Sequence, residues 1–279
     1  FRVIMLHDQA RVRPPPPHQL DAIHLRGEAG FDWRDRGVVT PVKNQGPCGS
    51  CWAFAATEAV ESANAIANGL RVGDGLVPLS PQTLVNCVDD GCQGGFAHDG
   101  FDYIAAHGLC TAASVPYAPF RQTCEHLSCA VGIEGWQALP QRNEDRLRQY
   151  VQTRPVAVAI EASLRAFQFY ASGVFDNPEC GTDLDHAVVV VGWGEANGTD
   201  YWTVRNSWSE TWGEGGYIRI ERGSNRCGIA ETPTMPLPKT APAVLDRARE
   251  AALRMAAPRS HLRLVEELLR GVGEFVRSP

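Results

Sequence analysis

"QGPCGSCWAF" (residues 45–54) places two cysteines three positions apart, directly before an apolar run. Ser50 precedes Cys51 and Gly69 follows the run, so the pattern predicts a capped, buried helix over about 51–68, with Cys51 in its first turn. Four kinds of site fit such a pair of cysteines: a zinc knuckle, a dithiol redox pair, two structural half-cystines, or one half-cystine beside a free nucleophile. The rest of the chain must discriminate among them.

The chain contains nine cysteines among its 279 residues. In a protein that forms disulfides, an odd count leaves one thiol free, so eight paired cysteines and one free cysteine are the working hypothesis. Disulfides persist in oxidising compartments, which predicts a secreted protein or one in a lysosome-like or vacuole-like lumen. The triplet "NGT" at Asn197 is an acceptor pattern for N-glycosylation and fits such a compartment.

Charge is distributed unevenly along the chain. The whole sequence has a formal net charge of -6, whereas residues 31–236 carry ten more acidic than basic side chains. A nucleic-acid-binding protein is expected to present a basic face, so nucleic acid is not expected among the partners. No apolar run approaches the roughly 18 residues that a membrane span requires, so the sequence predicts no transmembrane segment.

Three regions of the chain differ in their sequence patterns. Residues 1–29 contain four consecutive prolines, which indicates a linker or the remnant of a prosegment. Residues 30–238 form the predicted body, with helical patterns over about 30–137 and strand-like runs over about 138–238. Such a body predicts an α+β fold with a cleft between two lobes. Residues 239–279 predict an amphipathic C-terminal helical extension that docks on the body or on a partner or, alternatively, lies on a membrane surface.

Cys51 has the setting of a nucleophile. The N–H groups and the dipole at a helix N-terminus favour a thiolate, and Cys48, which precedes the helix, lacks that setting. An attacking thiolate also needs a proton carrier that a third group holds in place. His186 leads one apolar strand and Asn206 ends another, so the amide oxygen of Asn206 could fix the imidazole tautomer. These residues suggest a Cys–His–Asn triad, although a single histidine is more often a surface or core residue.

Four blocks of sequence follow one another along the chain: "QGPCGSCWAF", "GCQGG" at 91–95, "LDHAVVVVGWG" at 184–194 and "NSWSETWGEGGYIRI" at 206–220. Together they resemble the signature blocks of papain-like cysteine peptidases. The resemblance covers about 31–236. It implies a papain-like two-lobed fold, in which a helical left lobe and an antiparallel, β-barrel-like right lobe enclose the active-site cleft.

The resemblance also implies a role for each matching residue. Cys51 corresponds to the nucleophile, His186 to its acid/base, and Asn206 to the residue that orients the imidazole. Trp208 would shield that contact from water, and the amide of Gln45, with the backbone N–H of Cys51, would stabilise the oxyanion. Neither a cofactor nor a metal is implied. The expected protein is a cysteine endopeptidase, made as a zymogen, that cleaves proteins or peptides through a thioester acyl-enzyme and could bind cystatin-like inhibitors.

Substrate contacts are likewise implied by the resemblance. Gly94 and Gly95 would form a backbone rail for an extended substrate, although a turn also explains the pair. Asp185 is either a local hydrogen-bond partner or a specificity element. The pocket for the residue second upstream of the cut would be apolar, so a hydrophobic side chain is the expected preference there. Its lining would comprise Phe96, Ala97, Ala159, Ala162, Leu184 and Thr232, with Glu231 one position from the floor.

The family pattern implies three disulfides, and the cysteine count suggests a fourth. The three join Cys48 to Cys92, Cys87 to Cys124, and Cys180 to Cys227. The fourth, between Cys110 and Cys129, is an extrapolation that leaves Cys51 free. Two positions depart from the family pattern without touching a catalytic proton: Ser209 stands where glycine is usual, and Ala55 stands where serine is common.

Three alternatives remain open at this point. A catalytically silent binding protein could share the fold, although every matching catalytic residue is present. A zinc or dithiol protein could use the first four cysteines of the chain, but it would leave His186 and Asn206 without a role. A peptide ligase or transpeptidase shares the machinery and differs only in the acceptor that reaches the acyl-enzyme.

Overall fold

A computed structural model describes residues 30–88, 91–125 and 127–240. All elements below belong to the unit that ends at Lys239. The interpretations of residues 1–29 as a linker and of residues 241–279 as an amphipathic extension lie outside the described residues.

Three helices build the helical lobe. α1 spans Cys51–Asn68, α2 spans Pro81–Cys87 and α3 spans Ala97–His107. α1 starts and stops where the sequence pattern predicts. It ends at Asn68 because Gly69 adopts a left-handed conformation, with φ 69°, and closes the last turn. In α2 the side chain of Ser80 accepts a hydrogen bond from the backbone of the first turn, as expected of a capping serine.

The prediction that Ser50 caps the start of α1 is wrong. Ser50 precedes the helix, but its side chain makes no capping hydrogen bond. Its Oγ instead lies 2.8 Å from the hydroxyl of Tyr117, which is 67 residues further along the chain. A tertiary partner has therefore displaced the local one.

Two shorter helices lie within the strand-rich half, where the sequence pattern did not predict them. α4 spans Glu144–Val151 and α5 spans Arg165–Gln168. The side chain of Asn143 caps α4 by accepting a hydrogen bond from the backbone N–H of Arg146 at 2.9 Å. α5 places Gln168 at the edge of the cleft described below.

One sheet of eight strands forms the second lobe. Its strands run in the order β4–β10–β5–β7–β8–β9–β6, and β1 pairs with β7 beside this path. The bounds are β1 Phe31–Asp32, β4 Ile133–Ala138, β5 Val156–Ile160, β6 Val174–Phe175, β7 His186–Ala196, β8 Thr199–Arg205, β9 Tyr217–Glu221 and β10 Thr234–Pro238, while β2 (Arg71–Val72) and β3 (Gly75–Leu76) form a separate two-stranded ladder.

The α+β fold class is confirmed, with two refinements to the right lobe. The sheet does not close into a barrel within the described residues, since β4 and β6 form its two ends. β6 pairs with β9 in parallel, whereas the other pairs of this sheet are antiparallel. The sheet also includes β1 and the start of β4, which precede the part of the chain that looked strand-rich.

β7 lies between two hydrophobic cores. Val189 and Val191 pack into the core of the helical lobe, around Trp52 of α1. Val188 and Val190 point to the other face and join the core of the sheet. Because side chains alternate along a strand, only an uninterrupted apolar run can fill both cores, which explains the sequence "AVVVV".

Four disulfides staple the described chain. They join Cys48 to Cys92, Cys87 to Cys124, Cys110 to Cys129, and Cys180 to Cys227. Cys51 is the one cysteine without a disulfide partner, and all nine cysteines lie in described residues.

Removal of the Cys110–Cys129 disulfide should cost stability. The bridged residues are 19 positions apart, and closing a loop of about that length contributes about 3 kcal/mol to the free energy of unfolding by restricting the unfolded chain. We expect the Cys110→Ala/Cys129→Ala variant to lose roughly that amount in a denaturant titration, with an unchanged circular dichroism spectrum. An unchanged free energy of unfolding would mean that the two sulfurs are not bonded in the folded protein.

Candidate active site

Cys51 lies at the start of α1 and is 1% exposed. The backbone N–H groups of Ala187 and Trp52 favour a thiolate at Cys51 and lower the pKa of its thiol. Ala187 is the second residue of β7 and follows His186, so Cys51 lies near the beginning of that strand, and Cys51 and His186 line the same cleft. The helix supplies the N-terminal dipole and the strand supplies a donor, and both favour negative charge on sulfur.

His186 begins β7 and is 4% exposed. Its Nε2 lies 2.8 Å from Oδ1 of Asn206, which follows the last residue of β8. The same Oδ1 accepts the backbone N–H of Ser207 at 2.8 Å, so the amide oxygen, not the nitrogen, faces the ring. The antiparallel pairing of β7 with β8 brings His186 and Asn206 together, although 20 residues separate them.

Trp208 covers the imidazole. The centroids of the Trp208 and His186 rings are 4.7 Å apart, and the two planes are inclined by 32°. Phe167 of α5 and Trp212 pack edge-on against Trp208 from behind. The aromatic group holds the indole over the ring and shields the contact between His186 and Asn206.

Gln45 is anchored at both ends of its side-chain amide. Its Nε2 donates to the carbonyl oxygen of Cys48 at 2.9 Å, and its Oε1 accepts from Oγ of Ser207 at 2.7 Å. An amide nitrogen carries two hydrogens, so one is left after the bond to Cys48. The backbone of Gln45 is held as well, because its N–H donates to Ser207 O and its carbonyl accepts from the hydroxyl of Tyr117.

A cleft of about 450 Å³ opens between the two lobes. Cys51 and His186 lie on its walls together with Gln45 and Trp208. Of the residues predicted to contact substrate, Ala162 and Asp185 also line it. The remaining lining residues are Gly46, Pro47, Cys48, Gly49, Ser163 and Gln168.

The other predicted substrate contacts lie apart from this set. Gly94 and Gly95 have φ of 112° and 150°, and a Cβ on Gly95 would come within 3.1 Å of the Trp52 ring, so glycine is required there by packing as well. Ala159 lies in β5 opposite Ala187. Phe96, Ala97, Leu184 and Thr232 do not line the cleft between the lobes.

Asp185 has a local partner. Its Oδ1 accepts the backbone N–H of Ala162 at 2.7 Å, and its own N–H donates to the carbonyl of Ile160. Burial raises the pKa of the Asp185 carboxyl, and the hydrogen bond from Ala162 lowers it. Asp185 thus makes a local hydrogen bond and also lines the cleft.

Ser207 and Tyr117 contact site residues but were missed by sequence reasoning. The hydroxyl of Ser207 reaches Gln45, and the hydroxyl of Tyr117 lies between Ser50 and the carbonyl of Gln45. Ser207 is the neighbour of Asn206, which is a usable signal. Tyr117 lies in an irregular loop, and its sequence environment carries no sign of this role.

Burial opposes charge on both members of the candidate pair. It raises the pKa of the Cys51 thiol to about 11, which the hydrogen bonds from Ala187 and Trp52 counteract. It also lowers the pKa of His186 to about 4, which the hydrogen bond to Asn206 counteracts. These two shifts apply while only one of the two groups carries a charge. Transfer of the proton from sulfur to ring creates opposite charges side by side, and their attraction lowers the thiol pKa and raises that of the imidazole.

Ser209, where the family pattern usually has glycine, has φ of 75°. This left-handed conformation is unfavourable for a residue with a Cβ. Its Oγ accepts from Thr211 Oγ1 at 3.2 Å, which partly compensates. Its backbone N–H donates to Lys43 O, so the turn stays attached to the segment that carries Gln45.

The structure gives no support to a zinc or dithiol site. Cys48 is bonded to Cys92, and Cys87 to Cys124. Across the described ranges, no cluster of three or more His, Cys, Asp or Glu side chains is suited to a metal ion. None of the described helices combines the length and the apolar character needed to cross a membrane.

The family model for papain family cysteine proteases matches residues 28–237 of this chain. The chain belongs to the papain family. The resemblance drawn from the four sequence blocks is therefore confirmed, and so is the enzyme class, a cysteine-type peptidase.

Three curated relatives of this papain-family chain, all from plants, show how much of their length it covers. Cysteine proteinase EP-B 1 of Hordeum vulgare is 47% identical over 258 residues, which cover 85% of this chain and 68% of the relative. Oryzain beta chain of Oryza sativa subsp. japonica is 46% identical, with 74% of this chain and 45% of the relative covered. Thiol protease SEN102 of Hemerocallis sp. is also 46% identical, with 76% and 61% covered. The chain thus spans between about half and two thirds of the length of these relatives.

Solved structures share the fold. The bromelain protease from Ananas comosus, in complex with the E64 inhibitor, is 41% identical with a TM-score of 0.71, over 76% of this chain and 100% of that one. The ragweed pollen allergen Amb a 11, a cysteine protease in its proform, is 41% identical with a TM-score of 0.73, over 79% of this chain and 69% of that one.

A thiol count should return one free cysteine in this papain-family chain. Eight cysteines are paired and Cys51 is not. Unfolded without reductant and alkylated, the protein should gain one label per chain, and peptide mapping should place it on Cys51. Three labels per chain would show that one disulfide is absent, and the map would identify it.

Proposed function

We propose that this chain is a cysteine endopeptidase that hydrolyses peptide bonds through a thioester acyl-enzyme, with Cys51 as nucleophile and His186 as acid and base. One observation carries the proposal: Cys51, the one cysteine outside the disulfides of the described chain, lies at a helix N-terminus and lines the same cleft as His186, whose Nε2 is held by Asn206. The alternatives of a binding protein and of a ligase have no observation of their own in their favour.

The resting site would hold a thiolate and an imidazolium. The bond from Nε2 to Asn206 leaves Nδ1 of His186 available for the sulfur of Cys51. The proton then resides on the ring, and sulfur is ready to attack. Asn206 supports this state because a ring held by a neutral amide oxygen keeps its second nitrogen aimed at sulfur without adding a competing charge.

Acylation begins when the sulfur of Cys51 forms a bond to the scissile carbonyl carbon and the carbonyl electrons move to oxygen. The tetrahedral intermediate collapses as the C–N bond breaks, and the leaving nitrogen takes the proton from His186. Neutral His186 next removes a proton from water, whose oxygen attacks the thioester. The C–S bond breaks, sulfur leaves as thiolate, and His186 retains the proton for the next cycle.

Gln45 would stabilise the oxyanion, with the backbone N–H of Cys51 as the second donor. Its amide is pinned by Cys48 and Ser207, so the remaining hydrogen points in one direction without further ordering. A donor that is already oriented is worth most where charge develops in the transition state.

The preference for a hydrophobic residue second upstream of the cut would arise from an apolar pocket around Leu184 and Thr232. Leu184 packs closely on Gly228, since a Cβ there would lie 2.7 Å from Leu184 Cδ2. Glu231, next to the proposed floor, is engaged elsewhere: its carboxylate accepts from Arg142 at 2.9 Å and from Asn225 at 2.9 Å. Its charge is thereby offset, which suits a neutral pocket floor.

Partners, maturation and location follow from the same assignment. The substrates would be proteins or peptides, and cystatin-like inhibitors would occupy the same cleft. A relative of known structure is a proform, which supports synthesis as a zymogen. Four disulfides favour an oxidising place of residence, either secreted or in a vacuole-like lumen. Asn197 is exposed in the turn between β7 and β8, so it is accessible for glycosylation.

The proposed function is tested by peptide hydrolysis together with titration by E-64. We expect the mature protein, under mild reductant, to cleave peptide substrates at internal bonds. Its activity should fall in proportion to added E-64, with one equivalent bound covalently to Cys51. Cys51→Ala should abolish both hydrolysis and labelling while leaving the free energy of unfolding within about 1 kcal/mol, since the substitution removes one small buried atom. A folded protein that neither cleaves peptides nor takes up E-64 would contradict the proposal.

The Gln45→Ala variant should fold normally but hydrolyse peptides slowly. Loss of one oxyanion donor lowers kcat by about 100-fold to 1,000-fold. We expect a fall of that size in steady-state kinetics, with labelling of Cys51 by E-64 retained. A kcat within a factor of two of the wild type would exclude Gln45 from the oxyanion site.

Thr232→Glu should change the preference of the upstream pocket. A carboxylate on an apolar floor attracts a cationic side chain, so arginine should become acceptable at the second position upstream of the cut. A peptide-library profile reads this directly. An unchanged profile would place Thr232 outside the pocket.

A further inference from the structure

A buried ion pair joins the two lobes away from the cleft. Glu58, in α1, is 2% exposed, and Arg205, the last residue of β8, is 1% exposed. Nη2 of Arg205 lies 3.1 Å from Oε1 of Glu58. Neither residue lines the cleft, and the proposed chemistry uses neither of them.

The positions of the two residues relate them to the site. Glu58 follows Cys51 by seven residues, which is two helical turns, so the two side chains share one face of α1. Arg205 immediately precedes Asn206 in the chain. The pair therefore ties the helix of the nucleophile to the strand end that carries the residue holding His186.

A second, partly buried ion pair holds the segment of Gln45. Nζ of Lys43 lies 2.8 Å from Oε2 of Glu61, one turn beyond Glu58 on α1, and 3.9 Å from Glu58 Oε1. Lys43 precedes Gln45 by two positions, and its carbonyl accepts the N–H of Ser209. Two cations from segments that meet at the site thus reach two carboxylates on one helix.

The Glu58–Arg205 contact is poorly suited to stability alone. Nε of Arg205 is buried without a hydrogen-bond partner among the described residues, and Oε1 of Glu58 accepts no hydrogen bond there, although Nη2 of Arg205 lies 3.1 Å away. Burial raises the pKa of Glu58, while Arg205 and Lys43 lower it. A buried pair with unsatisfied atoms can often be replaced by apolar side chains without loss of stability, and its best-attested use is to specify how elements are aligned.

We propose that Glu58 and Arg205 are positioning residues, whose ion pair sets the placement of α1 relative to the end of β8 and so keeps Asn206 on His186 while Cys51 faces the ring. The inference rests on the proposed function, because it needs these three residues as the working site. Loss of the pair should let Asn206 drift from the ring. The imidazolium then loses the hydrogen bond that favours it, and the alkaline limb of the kcat/KM profile moves to lower pH.

The test compares Glu58→Gln with the wild type by pH profile, with rates expressed per active site titrated by E-64. We expect kcat/KM to fall about tenfold and its alkaline limb to move to lower pH. Glu221→Gln is the matched control, since it breaks a partly exposed ion pair with Arg226 (2.6 Å) outside the proposed site and should change neither quantity. An alkaline limb in Glu58→Gln that coincides with that of the wild type would overturn the proposal.

A double variant separates positioning from stability. Glu58→Leu/Arg205→Leu replaces the pair by apolar side chains and should fold even if Glu58→Gln does not. Positioning predicts that this folded variant keeps the lowered kcat/KM and the displaced limb, whereas wild-type kinetics in it would refute the inference. A wild-type protein without peptidase activity and without E-64 labelling would overturn the proposed function and this inference together. An active wild type with normal variants would overturn this inference alone.

Discussion

The packing of the first turn of α1 against the start of β7 is the contact on which the rest of the structure depends. It buries Cys51 almost completely and brings the backbone N–H of Ala187 near enough to lower the pKa of the Cys51 thiol. The helix belongs to one hydrophobic core and the strand contributes to both. The proposed nucleophile and base are therefore carried by a helix and a strand that pack on each other, not by loops.

A second set of contacts ties Gln45, the proposed oxyanion donor, to the same part of the structure. The segment of Gln45 and the segment of Ser207 exchange backbone and side-chain hydrogen bonds, and Asn206 lies directly before Ser207. The proposed oxyanion donor, Gln45, and the proposed orienting residue, Asn206, are therefore held by the same short set of hydrogen bonds. Displacement of either segment would disturb both steps of the reaction, which is why small errors in alignment are expected to be costly.

Much of this architecture was predictable from local pattern. Helix α1 follows from small residues at helical spacing and from Gly69, and β7 follows from an apolar run too short for a helix. The roles of Cys51, His186 and Asn206 came from their chemistry and from family resemblance, which covers the same part of the chain as the family match. Alignment across 135 or more residues cannot be read from spacing alone, because it results from strand pairing.

The features that were missed or corrected are tertiary in origin. Ser50 is of a residue type that commonly caps helices, but its hydroxyl makes a hydrogen bond with the hydroxyl of Tyr117. No local rule predicts a partner 67 residues away. The sheet stays open and ends at β6, which pairs with β9 in parallel. β6 has only two residues, and its pairing is set by tertiary contacts. Buried charges such as Glu58 look, in sequence, like the exposed face of a helix.

The most direct measurement is the rate at which Cys51 reacts with iodoacetamide as a function of pH. If sulfur and imidazole share a proton as an ion pair, the reactive thiolate exists well below the ordinary thiol pKa, and the rate should already be high at mildly acidic pH. If burial prevails and the thiol keeps its proton, the rate should rise only in the alkaline range, toward the value of about 11 that burial imposes on Cys51. The first profile is the one predicted here, and the second would contradict it.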